Sequence, residues 1–492
     1  MKILFNPIYR LKPDDGRVLI MHARGLQTIE NQHDEDFSGF IHPLHAVILS
    51  FVNGDEYSLI LQRIKNFINL DIDLVKSFID KLIDCDHRIG FQYGDAILSF
   101  PSKTIISSNL KREVAYNNPE IFLLDKLDLR QKRHKTVSYL TIMLNNKCVT
   151  NCYYCYADKR KPTNCLISYE RLCEIIHEAS ELGVVSIDLI GGEVFLYPKW
   201  KELLIELRKY HFHPLLSTKM PLTESDVKFL CESGHHTIQV SLDSLIPETL
   251  NVMLRVSHDY IKKIKHMFFM LQKYGVKVAV HTVLTSKNST IDDMKSLFDF
   301  LCEFDNVLYW KPDVASESIY AKPECKGTIE PKLKDLEKVV LFFKSIEFKC
   351  LFPLIYTGLV PNFDDDNKNL SFDNKMNAFL NGGICAGNYS QLFILPDGKV
   401  TICEELYWHP RFILGDINLQ SLQEIWNSEV ALSLYHIKQD DFSDSSACKT
   451  CNLFERCRGL KQVCYRDIVR RYGVEHWDYP DEKCPKAPYK YT

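Results

Sequence analysis

Three cysteines lie close together in the segment NNKCVTNCYYCYADKR, residues 145–160. Cys148, Cys152 and Cys155 follow the spacing Cys-x3-Cys-x2-Cys. A structural zinc site or a simple electron-transfer iron–sulfur cluster takes four protein ligands. A site with three thiolate ligands leaves one position of its metal centre free. The spacing therefore indicates a metal centre that binds a further small molecule.

Composition and charge describe an ordinary globular chain. Its 492 residues are 46% hydrophobic and 25% charged, which is enough for about three domains. The net charge of −4 is too small to favour nucleic acid or a membrane surface as a partner. We find no signal peptide and no apolar run long enough to span a bilayer. We therefore expect a cytoplasmic protein, in which clustered cysteines bind metal rather than form disulfides.

Residues 1–110 have the pattern of a small separate domain. The segments ILFNPIYRL and RVLIMHA predict two strands, three helical patterns follow, and FQYGDAILSF predicts a hairpin. This order is typical of a winged helix-turn-helix fold, which often binds DNA. The third helical segment carries an excess of acidic side chains: Asp71, Asp73, Asp80 and Asp84 against Lys76 and Lys81. Because an acidic face repels phosphate, we do not expect nucleic-acid binding.

Strand and helix patterns alternate from 137 to 345, after a polar linker at 111–136. Six strand–helix units with short connections predict an α/β fold with one parallel sheet, curled into a partial (β/α)6 barrel of the TIM type. Ligands bind such sheets at the carboxyl ends of the strands. The cysteine triplet directly follows the first predicted strand, so it lies at that end. Residues 346–380 then bridge to a cysteine-rich region at 381–492.

The cysteine triplet, with Tyr154 directly before its third member, resembles the radical S-adenosylmethionine (SAM) superfamily. Gly191, Gly192 and Glu193 close the second predicted strand and match the GGE motif of that family. In the family, the main chain and the acid of this motif hold the SAM amino group, and glycines let the backbone approach the ligand closely. The resemblance thus extends from the first strand to the second.

The resemblance implies a [4Fe–4S] cluster with three irons held by Cys148, Cys152 and Cys155. SAM binds the fourth iron through its amino and carboxylate groups, and its reductive cleavage yields a 5′-deoxyadenosyl radical. Further implied SAM contacts are Ser217 and Lys219 at the ribose or carboxylate, Ser241 and Asp243 beside the same ligand, Arg255 at the carboxylate and Val283 at the adenine. Zinc or inert thiols are the alternatives for the triplet, and ordinary loop or salt-bridge roles are the alternatives for Ser217, Lys219, Asp243 and Arg255.

A second cysteine pattern occupies the last quarter of the chain. Cys385 and Cys403 bracket SQLFILPDGKVTI, in which the Pro-Asp-Gly turn ending at Gly398 predicts a β-hairpin that brings the two cysteines together. The later cysteines are Cys448, Cys451, Cys457, Cys464 and Cys484. With the segment ILGDINLQSLQEIWNSE, this pattern resembles the SPASM extension of radical SAM enzymes that modify peptides and proteins. It departs from the family in one respect, because Cys464 follows Cys457 after six residues rather than the usual three.

The SPASM resemblance implies two auxiliary [4Fe–4S] clusters. The first would use Cys385, Cys403 and Cys464 and have an open iron, because the nearest further cysteine upstream is Cys350. The second would use Cys448, Cys451, Cys457 and Cys484. Zinc is the alternative here, because Cys-x2-Cys pairs are common in zinc ribbons. Glu404, which follows Cys403, is either a general base for the substrate or an exposed salt-bridge residue.

Residues 1–110 resemble the PqqD-like domains that bind leader peptides, in which the leader adds as a strand to a sheet edge beside the third helix. We therefore expect a radical SAM enzyme that abstracts hydrogen from a ribosomally synthesised precursor peptide and forms intramolecular crosslinks, of thioether, carbon–carbon or carbon–oxygen type. Its partners would be the precursor peptide with its leader and a flavodoxin- or ferredoxin-type reductant. The alternatives are formylglycine formation as in anaerobic sulfatase-maturing enzymes, peptide epimerisation, and a non-catalytic iron–sulfur electron carrier.

Overall fold

The computed structural model describes residues 1–25, 37–94, 96–109, 118–157, 165–320, 327–359 and 371–488. The chain forms two compact units. The first comprises Met1–Leu140, Ile176–Asp188 and Leu207–Pro214, and the second comprises Thr141–Ile175, Leu189–Glu206 and Leu215–Thr492. Within the described ranges, no helix combines the length and the apolar character needed to cross a membrane.

The N-terminal part of the first unit contains short strands around three helices. Its elements are β1 (Lys2–Phe5), β2 (Tyr9–Asp14), β3 (Arg17–His22), β4 (Ser38–Ile41), α1 (Pro43–Ser50), β5 (Asn53–Glu56), α2 (Tyr57–Phe67), α3 (Ile72–Leu82), β6 (Ile89–Tyr93), β7 (Ala96–Phe100) and β8 (Ile105–Ser107). They pair as the sheets β5-β1-β8 and β2-β3-β4 and as the hairpin β6-β7. The three helices and the hairpin thus occur in the predicted order.

The prediction of one strand over ILFNPIYRL is wrong, because the chain turns between β1 and β2. The side-chain oxygen of Asn6 accepts a hydrogen bond from the Ile8 N–H at 3.3 Å, and its amide donates to the carbonyl of Lys103 at 3.0 Å. The intervening Pro7 has no N–H for a ladder hydrogen bond. β1 and β2 therefore belong to different sheets.

Helix α3 is amphipathic and packs one face into the core of this region. Asp71 caps its N-terminus by accepting from the Asp73 N–H at 2.9 Å. Val75, Ile79 and Leu82 are almost fully buried. The opposite face is exposed and charged, as the helical periodicity predicts.

Each of the six predicted strand segments of the central region contains a strand. The elements are β9 (Tyr139–Met143), α4 (Tyr169–Glu181), β10 (Ser186–Ile190), α5 (Trp200–Lys209), β11 (Ser217–Thr218), α6 (Glu224–Glu232), β12 (Thr237–Ser241), α7 (Pro247–Leu254), α8 (Tyr260–Lys273), β13 (Lys277–Leu284), α9 (Ile291–Leu301), β14 (Val307–Val314) and α10 (Leu333–Ile346). This is the radical-SAM-like α/β alternation that the sequence predicts. Helix α7 was not expected, since PETLNVML is short and carries no strong periodicity.

The strands β11-β12-β13-β14 form one parallel sheet, whereas β9 and β10 belong to a second sheet. Hydrogen bonding therefore does not join all six strands into one sheet, and the partial barrel stays a prediction. The reason lies in β11, which is only two residues long and ends at a turn. A side chain, Glu193, connects the end of β11 to the segment after β10, as described below.

The C-terminal region consists of a small antiparallel sheet and short helices. Its elements are α11 (Phe372–Leu380), β15 (Gln391–Ile394), β16 (Lys399–Thr401), β17 (Ile413–Asp416), α12 (Leu422–Trp426), α13 (Glu429–Tyr435) and α14 (Tyr465–Tyr472), with a π-helical turn at Glu455–Lys461. The predicted hairpin is β15-β16. Its turn needs Gly398, which has a φ of +89° and whose added Cβ would collide with the Asn418 amide.

Candidate functional site

The cysteine triplet lies on the loop that follows β9. Cys148 is exposed, Cys155 is partly buried and Cys152 is buried. The hydroxyl oxygen of Thr150 lies 3.3 Å from the Sγ of Cys148 and 3.3 Å from the Sγ of Cys152. Across the described residues, no three His, Cys, Asp or Glu side chains converge tightly enough to hold a single metal ion.

The end of helix α7 holds the backbone of this loop. The N–H of Asn151 donates to the carbonyl of Leu254 at 2.9 Å, and the N–H of Tyr153 donates to Met253 at 3.0 Å. Arg255 ends the helix in the left-handed conformation, with a φ of 54°. Its guanidinium is exposed and makes no hydrogen bond or ion pair with another described residue. Arg255, the predicted contact of the SAM carboxylate, therefore lies next to the cysteine loop and has no partner among the described residues.

The GGE segment packs its backbone directly against the cysteine loop. The N–H of Gly192 donates to the carbonyl of Asn145 at 2.8 Å. A Cβ added to Gly192 would collide with the carbonyl oxygen of Lys147, and one added to Gly191 would lie 2.9 Å from the Asn145 oxygen. Only glycine permits this approach, so the two predicted motifs are brought together by their main chains.

Glu193 is buried, and its carboxylate accepts several hydrogen bonds. Oε2 accepts from the Thr218 hydroxyl at 2.9 Å and from the Lys219 N–H at 3.4 Å, while Oε1 accepts from the Phe195 N–H at 3.3 Å. Burial raises the pKa of Glu193, and these hydrogen bonds oppose the rise. The acid thereby fixes the end of β11 beside the GGE turn. Thr218 was not identified from the sequence, because its contact depends on the approach of two strands.

Three of the predicted SAM contacts converge on the carboxylate of a fourth, Asp243. The Nζ of Lys219 lies 2.8 Å from Oδ2 of the fully buried Asp243, and the Tyr154 hydroxyl donates to the same oxygen. Oδ1 accepts from the N–H of Val283 at 2.9 Å. Burial acts to lower the pKa of Lys219, but the charges of Asp243 and the Cys152 thiol outweigh it and raise that pKa. A protonated lysine is thus fixed beside the cysteine loop.

The other two predicted contacts lie on strands β11 and β12. The Ser217 hydroxyl accepts from the Gln239 amide at 2.9 Å, and Ser241 is largely buried. Ser241 is also the register partner of His281 on β13. His281 was not identified from the sequence, and its Nε2 lies 2.9 Å from Oδ2 of Asp313 on β14. The pair joins residues 32 positions apart, so only strand register reveals it.

The three cysteines assigned to the first auxiliary site lie together. Burial raises the pKa of the Cys403 thiol to about 12, and the nearby Cys385 contributes. Burial likewise raises the pKa of Cys464 to about 12, again with a contribution from Cys385. Burial raises the pKa of the Cys350 thiol, and the charges of Cys302 and Glu347 add to the rise.

The long spacing before Cys464 is accommodated by irregular backbone. The π-helical turn Glu455–Lys461 is followed by Gln462, which has a φ of 56° and a ψ of 98°. The carbonyl of Gln462 accepts from the N–H of Cys385 at 3.0 Å. The three extra residues therefore form a wider turn, and Cys464 still reaches Cys385.

The four cysteines assigned to the second auxiliary site line a single cavity. Its wall also contains apolar side chains and two cations, Arg458 and Lys486. The cysteines are Cys448, Cys451, Cys457 and Cys484. Burial raises the pKa of Cys484, and the neighbouring thiols Cys448 and Cys451 add to the rise.

Glu404 and Glu405 have different surroundings. Glu405 is buried and pairs with Arg466 at 2.9 Å and with Arg470 at 2.5 Å. Glu404 is partly buried and lies near Tyr156, whose pKa is raised by desolvation of its hydroxyl and by the charge of Glu404.

Comparison with known families finds two matching domains. Residues 142–301 match the model of the radical SAM superfamily, and residues 385–452 match the SPASM model, an iron–sulfur cluster-binding domain. The chain is 24% identical over 283 residues to a probable GTP 3′,8-cyclase of Methanothermobacter thermautotrophicus, covering 56% of this chain and 86% of the relative. It is 23% identical over 337 residues to the antilisterial bacteriocin subtilosin biosynthesis protein AlbA of Bacillus subtilis, covering 66% of this chain and 67% of the relative.

The fold is similar to that of a solved protein over nearly its whole length. Streptococcus suis SuiB bound to S-adenosylmethionine superposes with a TM-score of 0.62 at 16% identity, covering 98% of this chain and 99% of SuiB. SuiB has also been solved with its precursor peptide SuiA, and that structure superposes with a TM-score of 0.60.

The donor set fits the cofactors of these domains, a [4Fe–4S] cluster with SAM and the iron–sulfur clusters of SPASM domains. Three thiols on one short loop lie beside a protonated lysine, and seven more thiols form two groups in the C-terminal region. Thiolates are the ligands that iron–sulfur clusters take. The chain thus contains a radical SAM domain and a C-terminal SPASM domain, and it is an enzyme.

Proposed function

We propose that this enzyme modifies a ribosomally synthesised precursor peptide, whose leader docks on residues 1–110. The observation that carries the proposal is a strand edge without a partner among the described residues, beside a helix that exposes a leucine, in the first unit. The two relatives described above, a bacteriocin biosynthesis protein and a protein solved with its precursor peptide, support the same class of substrate.

The proposed docking groove lies between β6 and α3. Within the described residues β6 pairs only with β7, so its other edge is free for an added strand. Leu74, Phe78 and Lys81 form a mixed stripe on α3 at i, i+4 and i+7. Leu74 is 70% exposed, Phe78 is buried and Lys81 is an exposed cation. The Phe78 ring lies 5.7 Å from that of Phe91 on β6. Main-chain hydrogen bonds to β6 would give affinity, and this stripe would select apolar leader side chains.

We propose that the residues of the radical SAM site have the roles that the sequence resemblance implies. Cys148, Cys152 and Cys155 hold the cluster, and when bound, the cluster with SAM supplies a radical able to remove a hydrogen atom from the peptide. Asp243 is proposed beside SAM as predicted, and its two oxygens also accept three hydrogen bonds from this chain. It holds Lys219 in place, and the lysine offers its charge to the SAM carboxylate or ribose.

Further proposed SAM contacts surround this pair. The backbone and acid of the GGE segment hold the SAM amino group, and the adenine lies against Val283. The remaining contacts are proposed for Tyr154, Ser217, Ser241 and Arg255, together with Gly191, Gly192 and Glu193. Arg255 is free to turn towards a bound carboxylate, because no described residue engages its guanidinium.

We propose that Glu404 takes a proton from the substrate. Glu404 lies near Tyr156, the residue directly after the third cysteine of the triplet. A partly buried carboxylate close to the reacting peptide is suited to general-base catalysis. The electrons would come from a flavodoxin- or ferredoxin-type reductant.

We propose an intramolecular crosslink as the product, with a thioether slightly favoured. The site formed by Cys385, Cys403 and Cys464 offers three thiolates, so a substrate cysteine could complete the ligand set of a four-iron cluster there. A carbon–carbon or carbon–oxygen crosslink needs no such ligand and is the second candidate.

Mass spectrometry of a candidate precursor tests this proposal. The reconstituted enzyme is incubated anaerobically with dithionite, SAM and the peptide. Crosslinking removes two hydrogens per event, and epimerisation leaves the mass unchanged. Formylglycine formation changes the mass of a single cysteine or serine residue. Release of no 5′-deoxyadenosine would contradict catalysis and indicate an electron carrier.

A further inference from the structure

A buried arginine lies at the wall of the second auxiliary site. Arg458 follows Cys457 in the π-helical turn and is 2% exposed. Its Nη2 donates to the carbonyl of Tyr479 at 2.6 Å and lies 3.6 Å from the Sγ of Cys448. Its Nε and Nη1 make no hydrogen bond of good geometry to any described residue.

This cation has no carboxylate partner in the described part of the chain. A guanidinium remains protonated in proteins, so burial leaves a full positive charge in a region of low dielectric constant. The Phe442 ring lies 5.0 Å from its Cζ and the Tyr465 ring lies 5.5 Å away. The free energy gained from such cation–π contacts is smaller than the free energy lost when the guanidinium is desolvated. A negative charge beside Arg458 is therefore needed to stabilise it. The thiolates of the cavity supply it.

The charges at the two auxiliary sites differ. At the second site, Lys486 adds another cation 3.5 Å from the Sγ of Cys451, while Asp481 also lines the cavity and accepts from the Lys483 N–H at 2.9 Å. At the first site, the cations are paired. Arg466 binds Glu405 and Asp467. The second site is therefore the more electropositive of the two.

We propose that Arg458 raises the reduction potential of the cluster held by Cys448, Cys451, Cys457 and Cys484 above that of the first auxiliary cluster. The inference rests on the proposed function and on the four-iron cluster that the SPASM resemblance implies for these four cysteines. Reduction adds a negative charge to an anionic cluster, and a fixed buried cation stabilises the reduced form more than the oxidised form. The charge of Arg458 thus makes the second cluster the preferred site for an electron.

Redox titration followed by electron paramagnetic resonance tests this inference. The full-length protein carries Cys148→Ala, Cys152→Ala and Cys155→Ala, so that only the auxiliary clusters give signals. We expect two midpoint potentials. Arg458→Gln should lower the higher one by about 59 mV or more, a tenfold change in the one-electron equilibrium. Arg458→Lys, which keeps the charge, should lower it by much less.

Arg456→Gln is the matched control, since Arg456 belongs to the same turn but is exposed and screened by water. It should leave both potentials unchanged. Unchanged potentials in a fully loaded Arg458→Gln variant would overturn the inference, as would equal shifts in the Gln and Lys variants. Loss of the cluster from both variants would indicate a purely structural role and also overturn it. A parent protein with no auxiliary signal would instead refute the cluster assignment itself.

Discussion

At the scale of single residues, the radical SAM site is organised around Asp243. Its two oxygens accept from Val283, Lys219 and Tyr154, three residues far apart in sequence. The carboxylate therefore acts through the groups that it orients. The same arrangement keeps Lys219 charged in a largely buried position next to Cys152.

Replacing this carboxylate tests its positioning role. Asp243→Asn leaves the Lys219 cation buried without a partner, which costs about 3–5 kcal/mol for a buried pair. We expect a lower thermal unfolding temperature and a weaker affinity for SAM, measured by calorimetry on anaerobic protein. Asp299→Asn is the control, because its pair with Lys295 is exposed and is worth about 0.5 kcal/mol. Unchanged SAM affinity in Asp243→Asn would contradict the role.

The close packing of the GGE segment gives a second prediction. Gly192→Ala forces the Cβ against the Lys147 carbonyl, so the cysteine loop must move. A displacement of about 1 Å lowers rates about a hundredfold, which we expect for release of 5′-deoxyadenosine. Gly90→Ala is the control, since its Cβ would meet only the Ile97 side chain at an ordinary 3.4 Å. A Gly192→Ala enzyme with the normal rate would show that the loop tolerates the shift.

The sequence identified Tyr154, Glu193, Lys219 and Asp243 because they stand at fixed offsets within motifs. It missed the His281–Asp313 pair, which depends on the register of β13 against β14. Residue spacing along the chain reports local motifs well. It carries no information on which side chains meet across strands.

At the scale of elements, short segments position the long-range contacts. Helix α7 was not predicted from its eight residues, yet its last two carbonyls hold the cysteine loop. The π-helical turn Glu455–Lys461 likewise explains how an unusual cysteine spacing still brings Cys464 to Cys385. The longer helices followed directly from apolar periodicity, because their burial is set by one face.

The groove between α3 and β6 gives a prediction about peptide binding. Leu74→Asp places a charge at the exposed apolar position of the stripe. We expect the precursor to bind about tenfold more weakly, a loss of about 1.4 kcal/mol in binding free energy. Fluorescence anisotropy of a labelled leader measures it. Leu59→Asp on α2 is the control, since Leu59 is 39% exposed and lies outside the stripe. Equal effects of the two substitutions would refute the groove.

A point substitution is preferable to deleting residues 1–110, because the first compact unit also includes Ile176–Asp188.

At the scale of the whole molecule, three four-iron clusters require three separate cysteine sites. We expect about twelve irons per chain after anaerobic reconstitution, from three four-iron clusters. Removing the triplet with Cys148→Ala, Cys152→Ala and Cys155→Ala should leave about eight, because the auxiliary sites use other cysteines. Metal analysis measures both values. A count near four with bound zinc would contradict the auxiliary clusters and favour zinc ribbons.

Binding of SAM to the cluster of the cysteine triplet is tested most directly by the electron paramagnetic resonance spectrum of the reduced protein, recorded with and without SAM. We expect SAM to change the signal of one cluster, because it binds the iron that Cys148, Cys152 and Cys155 leave open. Cys148→Ala should abolish that change and the release of 5′-deoxyadenosine. A fully iron-loaded protein whose spectrum is the same with and without SAM would contradict the account.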